Sequence, residues 1–310
     1  LPLSAFAFQE SRDVFIVYRA PNRHTRMTRA AVKLFWSTDQ YTSGDFARDI
    51  FPFVDRTVCI SPYHVAYHKE RYRAENIGYF DLGVRVEEYG QPVEKVPGRC
   101  IYCSVPERGL EVLRMIWPRI KERVPHASLV ITSDYTLWGA PSPLNHEHRL
   151  KWLGMPDVEF MGKIPRKQLV IEQLKAECQP YCATYEELFC ISVAECQVAG
   201  AYPITTSRGA LPTTNQWGST LSNNVLDGEW QSKFIEAVSC RLGCGYHYGD
   251  MITDSARRFD WHTIEPSNTR DFSRFIDLAN QRHVKFQFQN RVLPLEHARG
   301  ELQVLDQFQR

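Results

Sequence analysis

Residues 179–205 read QPYCATYEELFCISVAECQVAGAYPIT. Two short apolar segments, 179–183 and 202–205, have strand character, and the segment between them, 192–200, reads as a helix. Short apolar strands alternating with helices imply a parallel sheet with helices on both faces. In such sheets ligands bind outside the carboxyl ends of the strands. Residues 184–191 follow one such strand end, which makes them the first place to look for a site.

The same rhythm extends outward. Residues 100–104, 128–132 and 158–161 read as strands, and 107–122 and 167–177 as helices. Leu110, Leu113, Ile116, Trp117 and Ile120 recur on one face of the first helix, and Pro118 is expected to kink it. Upstream, 13–18 (DVFIVY), 32–36 (VKLFW) and 57–61 (TVCIS) read as strands, and 77–82 leads into Gly83-Val84. Residues 62–71 read as a helix with proline in its first turn, and 23–29 as a basic, polar connection. The polar segment 90–98, with two prolines, reads as a linker. The expected organisation is therefore a lobe at 1–96, a second lobe at 97–265 and a tail at 266–310.

A length of 310 residues suits about two domains, and 43% hydrophobic with 24% charged residues excludes disorder as the main state. The net charge of +1 excludes polyanion binding by bulk electrostatics, so no nucleic-acid partner is expected. Apolar runs such as 14–17 fall far short of the roughly 20 residues a membrane span needs. Leu1-Pro2-Leu3 offers neither a basic region nor a cleavage site, so no signal peptide is expected; with no initiator Met, residue 1 is not expected to be the natural start.

The nine cysteines are odd in number and sit mostly in apolar segments, where a thiol behaves as a small hydrophobe. Cys100 and Cys103 have zinc-like spacing, but a strand would send them to opposite faces. Cys240, Cys244 and His247 form the better metal candidate and lack an evident fourth ligand. His64 and His68 share a helix face at zinc spacing with no Glu between them, and packing or surface exposure is expected. His146-Glu147-His148 is expected in a loop. No metal site is expected, and a reducing, cytoplasmic compartment is the simplest reading.

The chemistry concentrates in 183–199. Glu195 lies within the helix and Glu187 just before it. Backbone amides of Leu188, Phe189, Cys190 and Ile191 would point out of the helix start and attract an anion. A carboxylate accepts hydrogen bonds from two neighbouring sugar hydroxyls. One carboxylate for a sugar, amides for a phosphate and a second carboxylate for another sugar make the inventory for a nucleotide-sugar.

At these residues the chain resembles the GT-B glycosyltransferases of glycosyltransferase family 4, whose motif places two Glu eight apart with Phe two after the first. Glu187, Phe189 and Glu195 match it, and Cys190 stands where Gly is common. Residues 158–164 (VEFMGKI, with Gly162, Lys163 and Ile164) look like the family's strand and glycine loop beside the nucleobase. Residues 104–110 (SVPERGL, with Ser104, Arg108 and Gly109) look like the first donor loop, and 205–212 (TTSRGALP) like the turn after the second Glu. Trp36 to Asp39 and residues 57–63 resemble the end of the acceptor domain, 77–89 its exit into the linker, and 257–264, with Trp261, the C-terminal helix. The likeness is strongest over about 98–215 and fades after about 265.

The resemblance implies an α/β, GT-B-like chain of two Rossmann-like lobes around a cleft. It implies transfer of a sugar from a nucleotide-diphospho-sugar to an acceptor hydroxyl, with retention of configuration and no required cofactor or metal. Arg108, Lys163 and the helix start would stabilise the leaving diphosphate; Glu195 would hold the ribose, Glu187 the transferred sugar, and Asp39 would act on the acceptor side. The departing phosphate can itself take the acceptor's proton. The implied acceptor is a glycan, lipid or protein, and peripheral membrane association is compatible with it.

The family's opening strand, glycine-rich turn and helix are not found in 1–96, so the first lobe is expected to be incomplete: a fragment, a trimmed enzyme or an inactive scaffold. The tail residues 284–293 alternate enough to lie against an open edge, which a partner chain could otherwise cover. Competing readings are a nucleotide- or glycan-binding scaffold and a GT-B-type epimerase or phosphorylase. Singly, Arg108 reads equally as a surface ion-pair partner, Lys163 as a solvated loop residue and Asp39 as a helix cap. The absence of any Asp-x-Asp argues against a metal-bridged diphosphate site.

Overall fold

The computed structural model describes residues 12–19, 26–40, 50–138, 142–222, 224–244, 249–264, 286–288 and 291–293. The chain divides into two compact units, Leu1–Leu82 with Ile264–Arg310, and Gly83–Thr263.

The first unit contains a parallel sheet of β1 (Arg12–Tyr18), β2 (Ala30–Trp36), β3 (Arg56–Cys59) and β4 (Ile77–Tyr79), in that order. Its core joins Val17, Phe35, Ile50 and Val54, with a second cluster of Cys59, Ala74 and Ile77. Helix α1 (Pro62–Tyr72) begins after Ser61, whose hydroxyl accepts from the His64 amide at 3.0 Å. Proline at its first position loses no hydrogen bond there, and Arg73, left-handed at φ 53°, ends it.

The second unit is built from β5 (Arg99–Tyr102), α2 (Leu110–Arg123), β6 (Ser128–Ile131), α3 (Leu144–Leu150), β7 (Val158–Phe160), α4 (Arg166–Lys175), β8 (Cys178–Tyr181), α5 (Ile191–Val198), β9 (Tyr202–Thr206), α6 (Leu211–Thr214), β10 (Ser219–Leu221), α7 (Gly228–Gly243) and α8 (Gly249–Phe259). Its six strands run β10-β9-β8-β5-β6-β7, all parallel. The segments read as strands at 100–104, 128–132, 179–183 and 202–205 are thus neighbours in one parallel sheet. Alternation along β5 sends Cys100 and Tyr102 into one core layer and Ile101 and Cys103 to the other. Helix α2 buries Leu110, Leu113, Ile116, Trp117 and Ile120, each burial stabilising by about 1.5–3 kcal/mol. The helix runs on through Pro118.

Residues 83–98, which include the 90–98 segment expected to link the lobes, are bonded into this second unit. Val84 donates to Phe259 O at 2.6 Å and accepts from Trp261 at 3.1 Å, and Lys95 Nζ donates to Ala176 O and Ala199 O at 2.6 and 2.8 Å. His146, Glu147 and His148 lie in α3 rather than in a loop, because His148 packs its ring edge-on against Tyr135 and Phe160. The motif 257–264 spans the end of α8 and the turn after it. In the tail, β11 (Phe286–Phe288) and β12 (Arg291–Leu293) pair antiparallel with each other, not with the four-stranded sheet. Cys240 and Cys244 are exposed, and His247 lies outside the described residues, as do 23–25 of the 23–29 connection. Among the described residues no helix is long and apolar enough to cross a membrane.

Candidate functional site

Chain order reverses beside β5: the chain proceeds outward through β6 and β7, then returns to place β8 on the other side. At such a switch point the loops leaving two neighbouring strands diverge and open a crevice. Those loops here are 103–109 after β5 and 182–190 after β8. They are stitched together, Thr184 donating through its amide to Arg108 O at 3.3 Å and through its hydroxyl to Glu107 O at 3.1 Å.

Arg108 closes a short 3-10 turn, Pro106–Arg108, and Gly109 follows at φ +123°. A Cβ on Gly109 would stand 2.0 Å from Cys182 O, so only glycine lets the two loops approach this closely. Arg108 Nη1 donates to both Glu187 oxygens, at 3.1 and 3.0 Å, and its guanidinium lies 4.7 Å from the Tyr185 ring centre. Tyr181, the last residue of β8, donates its hydroxyl to Glu187, and Ser104 Oγ stands 3.2 Å from the same hydroxyl. Burial pulls the Arg108 pKa down more than any other single influence, but Glu187 together with Tyr181, Cys190 and Tyr185 raises it overall. Glu187, only 3% exposed, is thus gripped by a guanidinium and a phenol.

Its backbone is fixed too. Ala210 donates to Glu187 O at 2.7 Å, and a Cβ on Gly209, at φ +59°, would meet that oxygen at 2.1 Å. The segment 205–212 thus packs under the first glutamate, an arrangement the sequence spacing alone does not convey.

Helix α5 begins after Cys190, which is left-handed at φ 73°. This is the conformation glycine adopts without strain; the Cys190 side chain incurs about 1–3 kcal/mol of backbone strain. The first amides of α5 have no intrahelical acceptor. Phe189 is 1% exposed, with its ring edge-on to Phe259 at 6.0 Å, so its side chain anchors the loop in the core. Leu188 is buried as well.

Glu195 is served by a second arginine that sequence reasoning missed. Arg166, the first residue of α4, donates to Glu195 at 2.6 Å, to Glu88 at 2.8 Å and to the Tyr89 hydroxyl at 3.2 Å. Gln173 Nε2 donates to the other Glu195 oxygen at 3.0 Å, while its carbonyl accepts from the Tyr89 hydroxyl at 2.7 Å. Burial pulls the Arg166 pKa down, but Glu195, Tyr89 and Glu88 together raise it overall. Position at a helix start after Pro165 was the available signal for Arg166; Gln173 and Tyr89 carried none.

The loop 162–164 is organised by Asp134, also missed. Its Oδ2 accepts from the Lys163 amide at 3.1 Å, and its Oδ1 accepts from the Thr136 amide at 2.8 Å. Burial would raise the Asp134 pKa, but these hydrogen bonds lower it. Gly162, at φ +70°, leaves room for that carboxylate, since a Cβ would approach it to 2.8 Å. The Lys163 side chain is exposed and Ile164 half-buried.

Asp39 belongs to the first unit. Its carboxylate accepts from Arg19 Nε at 2.6 Å, and its carbonyl accepts from His64 Nε2 at 3.1 Å. The second unit thus gathers Ser104, Arg108, Gly109 and Glu187 into one constellation and places Glu195 in a separate network with its own cation.

No family model and no curated protein matches the chain. Solved structures do. TarM aligns with a TM-score of 0.60 at 11% identity, over 80% of this chain and 50% of its own. A chain of the GtfA/B complex aligns at 0.61 and 13%, over 88% and 58%, and Anabaena HepE in complex with UDP-glucose at 0.58 and 13%, over 86% and 78%. The chain spans about half the length of TarM. The likeness shows the fold: an α/β, GT-B-like architecture with two parallel Rossmann-like sheets, shared with GT-B glycosyltransferases.

Proposed function

We propose that the chain is a glycosyltransferase that moves a sugar from a nucleotide-diphospho-sugar to an acceptor hydroxyl with retention of configuration. The carrying observation is the Arg108–Glu187 pair at the switch point, a buried carboxylate and a guanidinium presented by the two loops at which sheets of this kind bind ligands. A diphosphate entering beside Arg108 offers the guanidinium a stronger acceptor, and the amides opening α5 add donors aimed at the same charge. Stabilising that charge as the glycosidic bond loosens is the main task of such a site. Glu187, held by Tyr181, would accept hydroxyls of the transferred sugar, and Glu195 those of the ribose.

The loop 162–164 would line the nucleobase, and Asp39 would serve the acceptor side. This chemistry asks for no metal at the diphosphate, where a fixed guanidinium supplies the positive charge. The HepE structure contains UDP-glucose, which makes UDP-sugars the first donors to test. The nine free thiols accord with a reducing, cytoplasmic setting. The proposed partners are a glycan, lipid or protein acceptor, at a membrane surface in the lipid case, and a companion chain on the first lobe.

A thermal-shift screen with UDP-, GDP-, ADP- and CDP-sugars tests the reading, since a ligand bound only by the folded state raises the midpoint. One nucleotide class is expected to stabilise the protein, and donor turnover with an acceptor separates transfer from binding alone. No shift with any nucleotide-sugar at millimolar concentration would overturn the assignment.

A further inference from the structure

The first unit holds a buried cluster that the donor chemistry does not use. Cys59 is the last residue of β3, and His64 and His68 lie one turn apart on α1. All three are 0% exposed. Each offers one ligand atom, a sulfur or a ring nitrogen, and these three atoms lie within 4.8 Å of one another. The imidazoles face each other at 4.6 Å between centroids, as four-residue spacing on a helix requires.

Hydrogen bonds sort the ring nitrogens. His64 Nε2 donates to Asp39 O at 3.1 Å, which leaves its Nδ1 as the acceptor, met only at 3.4 Å by the Ile60 amide. The Ser37 hydroxyl lies 2.9 Å from His68 Nε2. His68 Nδ1 is buried and has no hydrogen-bond partner. An orphaned imidazole nitrogen deep in the protein is costly unless something binds it.

We propose that Cys59, His64 and His68 bind a single soft d10 metal ion through one thiolate and the two Nδ1 lone pairs. Thiolate with imidazole is the donor set that selects Cu(I) and Zn(II) over harder cations. The Asp39 carbonyl and the Ser37 hydroxyl then act as outer partners that fix the tautomer and orientation of each ring. Burial keeps both imidazoles neutral, lowering His64 to about 3 and His68 to about 4, so their lone pairs are available at neutral pH. Burial also pushes the Cys59 thiol up, so it enters as S–H. Binding therefore forms the metal–sulfur bond, breaks S–H and releases one proton to solvent.

Charge distinguishes the two ions. The cluster contains no carboxylate. One thiolate neutralises Cu(I), whereas Zn(II) would leave a net positive charge buried among Phe35, Phe51 and Tyr72, which pack around His68. Cu(I) is accordingly expected to be held more tightly.

The test uses the full chain with the exposed Cys240 and Cys244 changed to serine, removing adventitious thiol binding. The protein is loaded anaerobically with Cu(I), and in parallel with Zn(II), then desalted against a weak chelator, and metal per chain is counted by mass spectrometry. One equivalent, a raised melting temperature and one proton released per ion are expected. Cys59→Ser and His68→Gln, each checked for folding by circular dichroism, should weaken retention at least about tenfold. If the parent chain keeps neither metal beyond a blank, or Cys59→Ser keeps as much as the parent, the site does not exist. The first of these outcomes does not depend on how any ligand variant folds.

Discussion

Arg166 and Glu195 form an ion pair of 2.6 Å in which the arginine simultaneously holds Glu88 at 2.8 Å. The carboxylate proposed to meet ribose is thus aimed by a cation from another helix, and that cation is itself anchored by the segment preceding β5.

Arg166→Gln should leave Glu195 with Gln173 as its remaining side-chain donor. Because Arg166 is 35% exposed, solvent screens part of the loss, and a destabilisation of about 1–2 kcal/mol is expected in urea unfolding. Affinity for every nucleotide should fall together, since ribose is common to all. Unchanged titration calorimetry for UDP and GDP alike would detach Arg166 from nucleotide binding.

Glu195→Ala should weaken all nucleotides by roughly ten- to hundredfold, the consequence of losing about 1.5–3 kcal/mol from a charged acceptor. Arg108→Ala should weaken diphosphates far more than nucleosides. Because Arg108 and Glu187 touch, their effects should not add, and a double-mutant cycle should return a coupling of about 0.5–3 kcal/mol. Strict additivity would show that the pair does not act as a unit.

Gly109→Ala meets a backbone oxygen at 2.0 Å in a conformation L-residues avoid, so a loss of about 3 kcal/mol or more is expected. Gly154→Ala, at φ +78° with nothing within 4 Å of its Cβ, carries only the conformational penalty, about 1 kcal/mol. Comparing the two by chemical denaturation separates steric from conformational cost, and equal losses would refute the close approach of the two loops.

In metal-free protein His64 and His68 are expected to make the first unit acid-labile. Their folded pKa values of about 3 and about 4 lie below the ordinary 6.5, so the unfolded chain takes up protons first as pH falls. The stabilisation is complete above about pH 6.5 and is lost progressively down to about pH 3–4. His68→Phe should flatten that slope, and a pH profile of unfolding identical to the parent's would contradict the burial of the pair.

The parallel sheet of the second unit was legible because β5, β6, β8 and β9 are apolar runs bounded by polar turns, and burial on both faces leaves no other pattern. Arg108 and Glu187 were legible because each follows a strand. The pairing between them was not, since it depends on β8 returning beside β5 across roughly 80 residues, as the Arg108–Glu187 contact does. Arg166, Gln173 and Tyr89 stood on three separate segments with ordinary spacing. His148 was misread as loop because a polar trio conceals a ring that packs between two aromatics.

By itself the amino-acid order determined local matters: strand and helix alternation, and two glutamates set eight residues apart. Those properties follow from dihedral preference and apolar periodicity, which act over a few residues. Tertiary structure alone decided which cation each glutamate meets, that Phe189 is an anchor in the core, and that Cys59, His64 and His68 converge. Each of these is a distance between segments remote in sequence, set by strand order and by the burial that follows from it, and no local preference encodes it.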